Sequence, residues 1–139
     1  MLAQVTALQS ELPIQDAACG VKIISREGVA NEFDLAMLTN NQLYLVECKT
    51  ILPKGNKSIG MDVIFKLDSV SQLGGLEAEA MLVAVGVANE AEQDRADLQQ
   101  LEIINGKELL NIRDRLRRWI GLFSARSAPC SPKPKSKTM

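Results

Sequence analysis

Two apolar runs joined by a pair of asparagines constrain this chain more than any other feature. Glu32 to Thr39 (EFDLAMLT) and Gln42 to Lys49 (QLYLVECK) flank Asn40-Asn41. Asn tolerates positive φ, so the pair predicts a two-residue turn and an antiparallel hairpin. Thr39 then pairs with Gln42, and every cross-strand pair of residue numbers sums to 81. Strand alternation puts Glu32, Asp34, Leu38, Leu43, Leu45, Glu47 and Lys49 on one face. Phe33, Leu35, Tyr44, Val46 and Cys48 fall on the other. Both faces are largely apolar, so these read as central strands covered on each side.

The rest of the chain supplies that cover. Met1 to Leu12 reads as a short helix stopped by Pro13. Val21 to Ser25 is a strand candidate ended by Arg26-Glu27-Gly28. After a loop, Pro53 to Gly60, the run Met61 to Leu73 has apolar residues at 64, 67 and 70, which is helical spacing, and Gly74-Gly75 closes it. Ala80 to Val85 is fully apolar, as in a strand buried on both faces. Glu90 to Gln100 is polar and helical, and Leu101 to Ile104 is a last short strand. Asn105 is placed to cap a helix from Gly106 to Phe123, with Leu109, Ile112, Leu116, Trp119 and Phe123 on one face. Strands that meander and then alternate with helices predict an α/β fold: a mixed sheet with helices on both sides. The chain has no internal repeat.

The 139 residues are enough for one domain with its own core. We expect that domain over residues 1–123 and a disordered basic Ser/Pro/Lys tail over 124–139. The tail carries Arg126, Lys133, Lys135 and Lys137 and no acid. The remainder holds all seventeen acids against twelve of the sixteen bases, so the body is net acidic. That argues against broad non-specific binding of nucleic acid, though not against a local basic groove. There is no His, which excludes Ser-His-Asp and Cys-His nucleophiles and His-ligated zinc. Cys19, Cys48 and Cys130 form neither a disulfide framework nor a metal knuckle, and read as thiols of a reducing cytoplasm. No signal peptide is evident, and no apolar stretch approaches the roughly 20 residues of a membrane helix.

Within the hairpin, Asp34 is expected opposite Glu47, and Glu32 opposite Lys49. Carboxylates directly opposite each other destabilise a sheet. A divalent cation gives them a reason, since hard oxygen ligands on a rigid hairpin suit Mg²⁺ or Mn²⁺. Lys49 would then stand beside the metal, placed to orient a water and stabilise phosphate charge. Ordinary ion pairs between charged strand ends are the competing reading. A one-residue register slip would turn one carboxylate away.

Asp34, thirteen positions before Glu47-Cys48-Lys49, resembles the PD-(D/E)xK nuclease signature. The longer string NEFDLAMLTNNQLYLVECKT, followed by FKLDSVSQLGG and an apolar strand, resembles the nuclease domain of Card-type CRISPR-associated endonucleases, which carry a CARF sensor and are activated by cyclic oligoadenylate. The similarity covers about Val21 to Leu110. It implies a restriction-endonuclease-like fold and a metal-dependent endonuclease of antiviral defence that works as a homodimer; of the nucleic acids, DNA is the expected partner ahead of RNA. It implies Asp34 and Glu47 as metal ligands, the Cys48 backbone carbonyl as a third, Lys49 as catalytic lysine and Glu32 as a supporting ligand or the partner of Lys49. The sensor domain of the family has no counterpart in these residues, so it is expected as a separate or lost part. A junction-resolvase or repair-type nuclease of the same fold is the first alternative. A non-catalytic module for nucleic-acid binding or dimerisation is the second.

Other residues carry weaker signals. Lys54 and Lys57 follow the Lys49 strand and are candidates for phosphate contact, or for a solvated loop. Lys66 follows Asp62 by four, so an intrahelical ion pair competes with a contact at the site edge. Gln72 is a further candidate contact. Arg113, Arg115, Arg117 and Arg118 either oppose the last helix dipole or meet nucleic acid. Trp119 reads as packing.

Overall fold

A computed structural model of the chain describes residues 2–9, 11–12, 14–50, 58–74 and 78–126. Five strands form a single sheet in sequence order. They are β1 (Ile14–Ile24), β2 (Ala30–Thr39), β3 (Gln42–Lys49), β4 (Ala78–Ala84) and β5 (Glu102–Asn105). The helices are α1 (Leu2–Leu8), α2 (Met61–Ser71), α3 (Glu90–Leu98) and α4 (Ile112–Arg126). β1, β2 and β3 are antiparallel neighbours, while β4 and β5 join in parallel.

The hairpin turn is as the sequence requires. Asn40 and Asn41 have φ of 49° and 62°, the two positive values that match the twist of the flanking strands. The register runs from Thr39↔Gln42 to Leu35↔Val46, each pair summing to 81.

Helices cover both faces of the sheet. On one side Val5 and Leu8 of α1 and Leu116, Trp119 and Ile120 of α4 pack on Leu35, Met37, Tyr44, Val46, Met81, Val83 and Ile104. Trp119 meets Tyr44 edge-on at 5.0 Å and 85°, an arrangement that suits the ring quadrupoles. On the other side Ile64 and Leu67 of α2 and Ala96 of α3 pack on Phe33, Leu45, Ala80, Leu82 and Ile103.

Several local features differ from expectation. β1 begins at Ile14 rather than Val21. Its first half, IQDAAC, lies along the sheet edge with little buried, so it lacks the alternation that marks a half-buried strand. Residues Gly106–Asn111 form a 3₁₀ turn, and α4 starts only at Ile112. Asn105 makes no side-chain cap there, because its Oδ1 accepts from the Ala88 N–H at 3.2 Å. α4 continues through Arg126, beyond the expected start of the tail at Ser124. Residues 127–139 lie outside the described residues.

One departure bears directly on the site. Phe33 joins the α2-side core with Val21 and Ile23, while Leu35 lies on the α4 side with Ala17. The two strands therefore change faces together between Cys19↔Leu35 and Val21↔Phe33. Gly20, at φ 62°, is the residue that permits the change. Strict alternation had put Phe33 and Leu35 on one face; the left-handed Gly20 corrects that.

Candidate active site

The site forms where the sheet forks. The β2–β3 ladder ends at Leu35↔Val46, whereas the β3–β4 ladder continues to Lys49↔Ala84. Beyond the fork β2 stays with β1, and Glu32 pairs with Lys22. The expected ladder pairs Asp34/Glu47 and Glu32/Lys49 therefore do not form. β2 has left β3 before reaching them, carried off by its longer pairing to β1.

The fork is bridged by a side chain. The Cys48 N–H donates to Asp34 Oδ2 at 2.7 Å, where a backbone carbonyl of β2 would otherwise stand. The Lys49 carbonyl accepts from the Val85 N–H at 3.1 Å, so the peptide groups of Lys49 face β4. Strand residues alternate in the side to which their N–H and C=O point, so both Cys48 groups face the fork with Asp34.

A cleft of about 390 Å³ opens at this point, lined by Ala30 to Phe33 of β2, Glu47 and Lys49 of β3, and Asp62, Val63, Lys66, Leu67 and Val70 of α2. Glu47 and Lys49 share the cleft face, as expected, and their side chains pair at 3.3 Å. Lys49 remains 42% exposed, so the pair is open to solvent and contributes little stability. Burial pushes the Glu47 carboxyl above its usual value, and the Asp34 charge pushes it further. Lys49 and Lys66 oppose the shift. The Cys48 thiol is likewise raised, by burial first and by Asp34 next, which keeps it a protonated packing group.

The other sequence-derived candidates fall as follows. Glu32 and Lys66 line the cleft. Asp34 is not part of the cleft lining, since it points into the fork toward Cys48. Gln72 lies away from the cleft, donating to Asp68 Oδ2 at 3.5 Å. Lys54 and Lys57 lie outside the described residues. Asp62 is a cleft residue, although its spacing to Lys66 points only to an intrahelical pair; among the described residues these two form no ion pair, and both line the cleft. The only signal for Asp62 was its position one turn before Lys66.

The arginine run of α4 is largely committed within the molecule. Arg115 bonds Glu108, Glu102 at 2.7 Å and the Ile103 carbonyl at 3.2 Å. Arg117 holds Glu11 and Asp114, each at 2.8 Å, and Arg113 donates to Gln4 Oε1 at 2.8 Å.

No helix among the described residues is long and apolar enough to cross a membrane. Also among the described residues, no three Asp, Glu, Cys or His side chains converge as a metal cage. The fork offers a smaller donor set: two carboxylates and a carbonyl, all hard oxygens. Such a set fits Mg²⁺ or Mn²⁺, which keep several waters and take only one or two carboxylates with substrate phosphate.

The family model for the Card1-like, endonuclease domain matches residues 3–123. Protein VC1899 from Vibrio cholerae is similar at 31% identity and a TM-score of 0.74, over 87% of this chain and 32% of that one. Can2 from Sulfobacillus thermosulfidooxidans, solved in complex with cyclic tetra-adenylate, is similar at 25% identity and a TM-score of 0.72, over 85% and 33%. Protein AF1548, at 14% identity and a TM-score of 0.55 over 73% and 54%, shares the fold. The chain spans about a third of the length of VC1899 and Can2. No curated protein sequence matches it.

Proposed function

The chain belongs to the family of Card1-like endonuclease domains, and on that premise we propose that it hydrolyses phosphodiester bonds of nucleic acid at the forked end of β2 and β3. The observation that carries this reading is the meeting of Asp34, Glu47, Lys49 and the Cys48 carbonyl where two strands part. Asp34, Glu47 and the Cys48 carbonyl would hold Mg²⁺ or Mn²⁺. When bound, the metal would supply Lewis acidity toward a phosphate oxygen and lower the pKa of a water.

The chain's own residues have separable tasks. Asp34 accepts the Cys48 N–H, and this fixes its carboxylate beside the Cys48 peptide. Lys49 keeps its ammonium within 3.3 Å of Glu47, on the cleft side, where it can orient the attacking water and offset charge developing on the phosphate. Glu32 stands on the same wall as a supporting acid, and Lys66 stands on the opposite wall as a cation for a flanking phosphate. Within a net acidic body, Lys49 and Lys66 are the cations that this cleft offers to phosphate.

The substrate we propose is DNA, cut by a homodimer so that each copy addresses one strand, in cytoplasmic antiviral defence of the CRISPR-associated kind. Can2 was solved with cyclic tetra-adenylate. We propose that a comparable sensor, on the same or a separate polypeptide, governs when this site acts. The test is nicking of supercoiled plasmid in Mn²⁺ by wild type, with Asp34→Asn and EDTA as controls. Cutting by wild type alone supports the reading. Equal cutting by Asp34→Asn refutes the site.

A further inference from the structure

The walls of the cleft are fixed by different means. β2 and β3 belong to the sheet, but α2 carries Asp62 and Lys66 from outside it. The start of α2 is unusual: its N-cap, Gly60, has no side chain with which to cap, and its φ is 102°. Its left-handed backbone calls for glycine, and a Cβ there would come within 2.8 Å of Asp62 Oδ1, so the Asp62 side chain would have to move.

Glu92 compensates from a distant part of the sequence. This carboxylate is only 3% exposed. Its Oε1 accepts from the Gly60 N–H at 2.8 Å, and its Oε2 accepts from the Asn89 N–H at 3.0 Å. Gly60 is the N-cap of α2 and Asn89 the N-cap of α3. One buried carboxylate thus joins the N-termini of two helices, where both dipoles favour negative charge. The Asn89 half is a capping box completed by the Glu92 N–H, which donates to Asn89 Oδ1 at 2.8 Å. A capping box needs no bond to Gly60.

We infer that Glu92 is a positioning residue for the cleft: by holding Gly60 it sets where α2 begins, and therefore where Asp62 and Lys66 stand over Glu47. The inference rests on the nuclease reading for its catalytic consequence, but not for its structural one. Lys49 and Glu47 are carried by β3 and keep their places when α2 shifts. Loss of the tether should therefore act on substrate binding through Lys66 and leave the chemical step nearly intact.

The experiment compares Glu92→Gln, Glu92→Asp and Asn89→Ala in the full chain. Glu92→Gln presents an amide to two N–H donors and removes the charge. Glu92→Asp keeps the charge on a shorter arm that does not reach Gly60. Asn89→Ala weakens the α3 cap while leaving the Gly60 bond. Amide hydrogen exchange reads the tether, and Mn²⁺-dependent cleavage of a labelled DNA duplex reads its effect. We expect both Glu92 variants to speed exchange at Gly60 and in the first turn of α2. They should raise KM about tenfold with kcat within about twofold, while Asn89→Ala changes neither. Unchanged exchange at Gly60 in a folded Glu92 variant overturns the inference. So does an equal KM rise in Asn89→Ala, which would reduce Glu92 to a helix cap. If wild type cuts no duplex, the nuclease reading is what fails, and exchange at Gly60 alone decides the tether.

Discussion

The carboxylate of Asp34 replaces a strand: its Oδ2 takes the Cys48 N–H at 2.7 Å just where β2 ceases to pair with β3. The bond leaves Oδ1 free of this role and aims both Asp34 and the Cys48 peptide into the same fork. Removing the charge of either carboxylate should therefore weaken metal binding without unfolding the hairpin. Asp34→Asn, which can still accept from Cys48, and Glu47→Gln should each lower Mn²⁺ affinity by about tenfold or more, since each removes one of two charged donors. Isothermal calorimetry gives the comparison; unchanged affinity in both variants would exclude the assignment.

Glu47 should make metal-free stability depend on pH. Its carboxyl is raised above the usual 4.5 by burial and by Asp34, so the native state holds this proton more tightly than the unfolded chain does. The contribution of Glu47 to stability is then fully present below the ordinary carboxylate pKa and is lost as pH rises through the raised value. Glu47→Gln abolishes that loss. Urea unfolding in EDTA should show the variant more stable than wild type near neutrality, by up to about 1 kcal/mol, with the gap closing in acid. A variant less stable at neutral pH would contradict this.

On the proposed mechanism, Lys49 serves the chemistry rather than metal affinity. Lys49→Ala should bind Mn²⁺ nearly as wild type does and cut plasmid about a hundredfold more slowly, the value of one well-placed electrostatic group. Lys49→Arg should not restore cutting, because a planar guanidinium does not reproduce a compact ammonium. Equal rates for wild type and Lys49→Ala would remove Lys49 from the mechanism.

Cys48 offers its main chain to the site, while its side chain packs beside the α4-side core. Cys48→Ala should preserve Mn²⁺ affinity and cleavage within about threefold and cost about 1 kcal/mol of stability, since it removes only a small partly buried group. Loss of metal binding in Cys48→Ala would show that the thiol itself takes part.

The hairpin was legible in the sequence because its causes are local. Asn40-Asn41 sets the turn, and the turn sets the register out to Leu35↔Val46. The same alternation put Glu47 and Lys49 on one face, and both line the cleft. What lay beyond was set by partners distant in sequence. The face change at Gly20 arises from β1, whose edge-strand composition hides it, and it displaced Phe33 and the Asp34/Glu47 pairing from their expected places. Asp62 and Lys66 have the spacing of an ion pair, and only the packing of α2 against Phe33 and Leu45 turns them to the cleft. Glu92 reads as an ordinary N3 residue of α3, because its second partner, Gly60, is 32 positions away.

The long ladder between β1 and β2 gives the outer strand an unexpected share in the site. After β2 leaves β3, its remaining sheet partner is β1, from Val21↔Phe33 to Ile24↔Ala30. The two jaws of the fork thus answer to separate halves of the sheet: Glu47 and Lys49 to the parallel strands and Glu32 to the edge, with Asp34 bridging them through Cys48. A disturbance along the edge strand would alter the spacing between the jaws while leaving the hairpin turn in place. The distance between Glu32 and Glu47 is therefore a property of the sheet margin, whereas Asp34 is tied back to β3 through the Cys48 N–H.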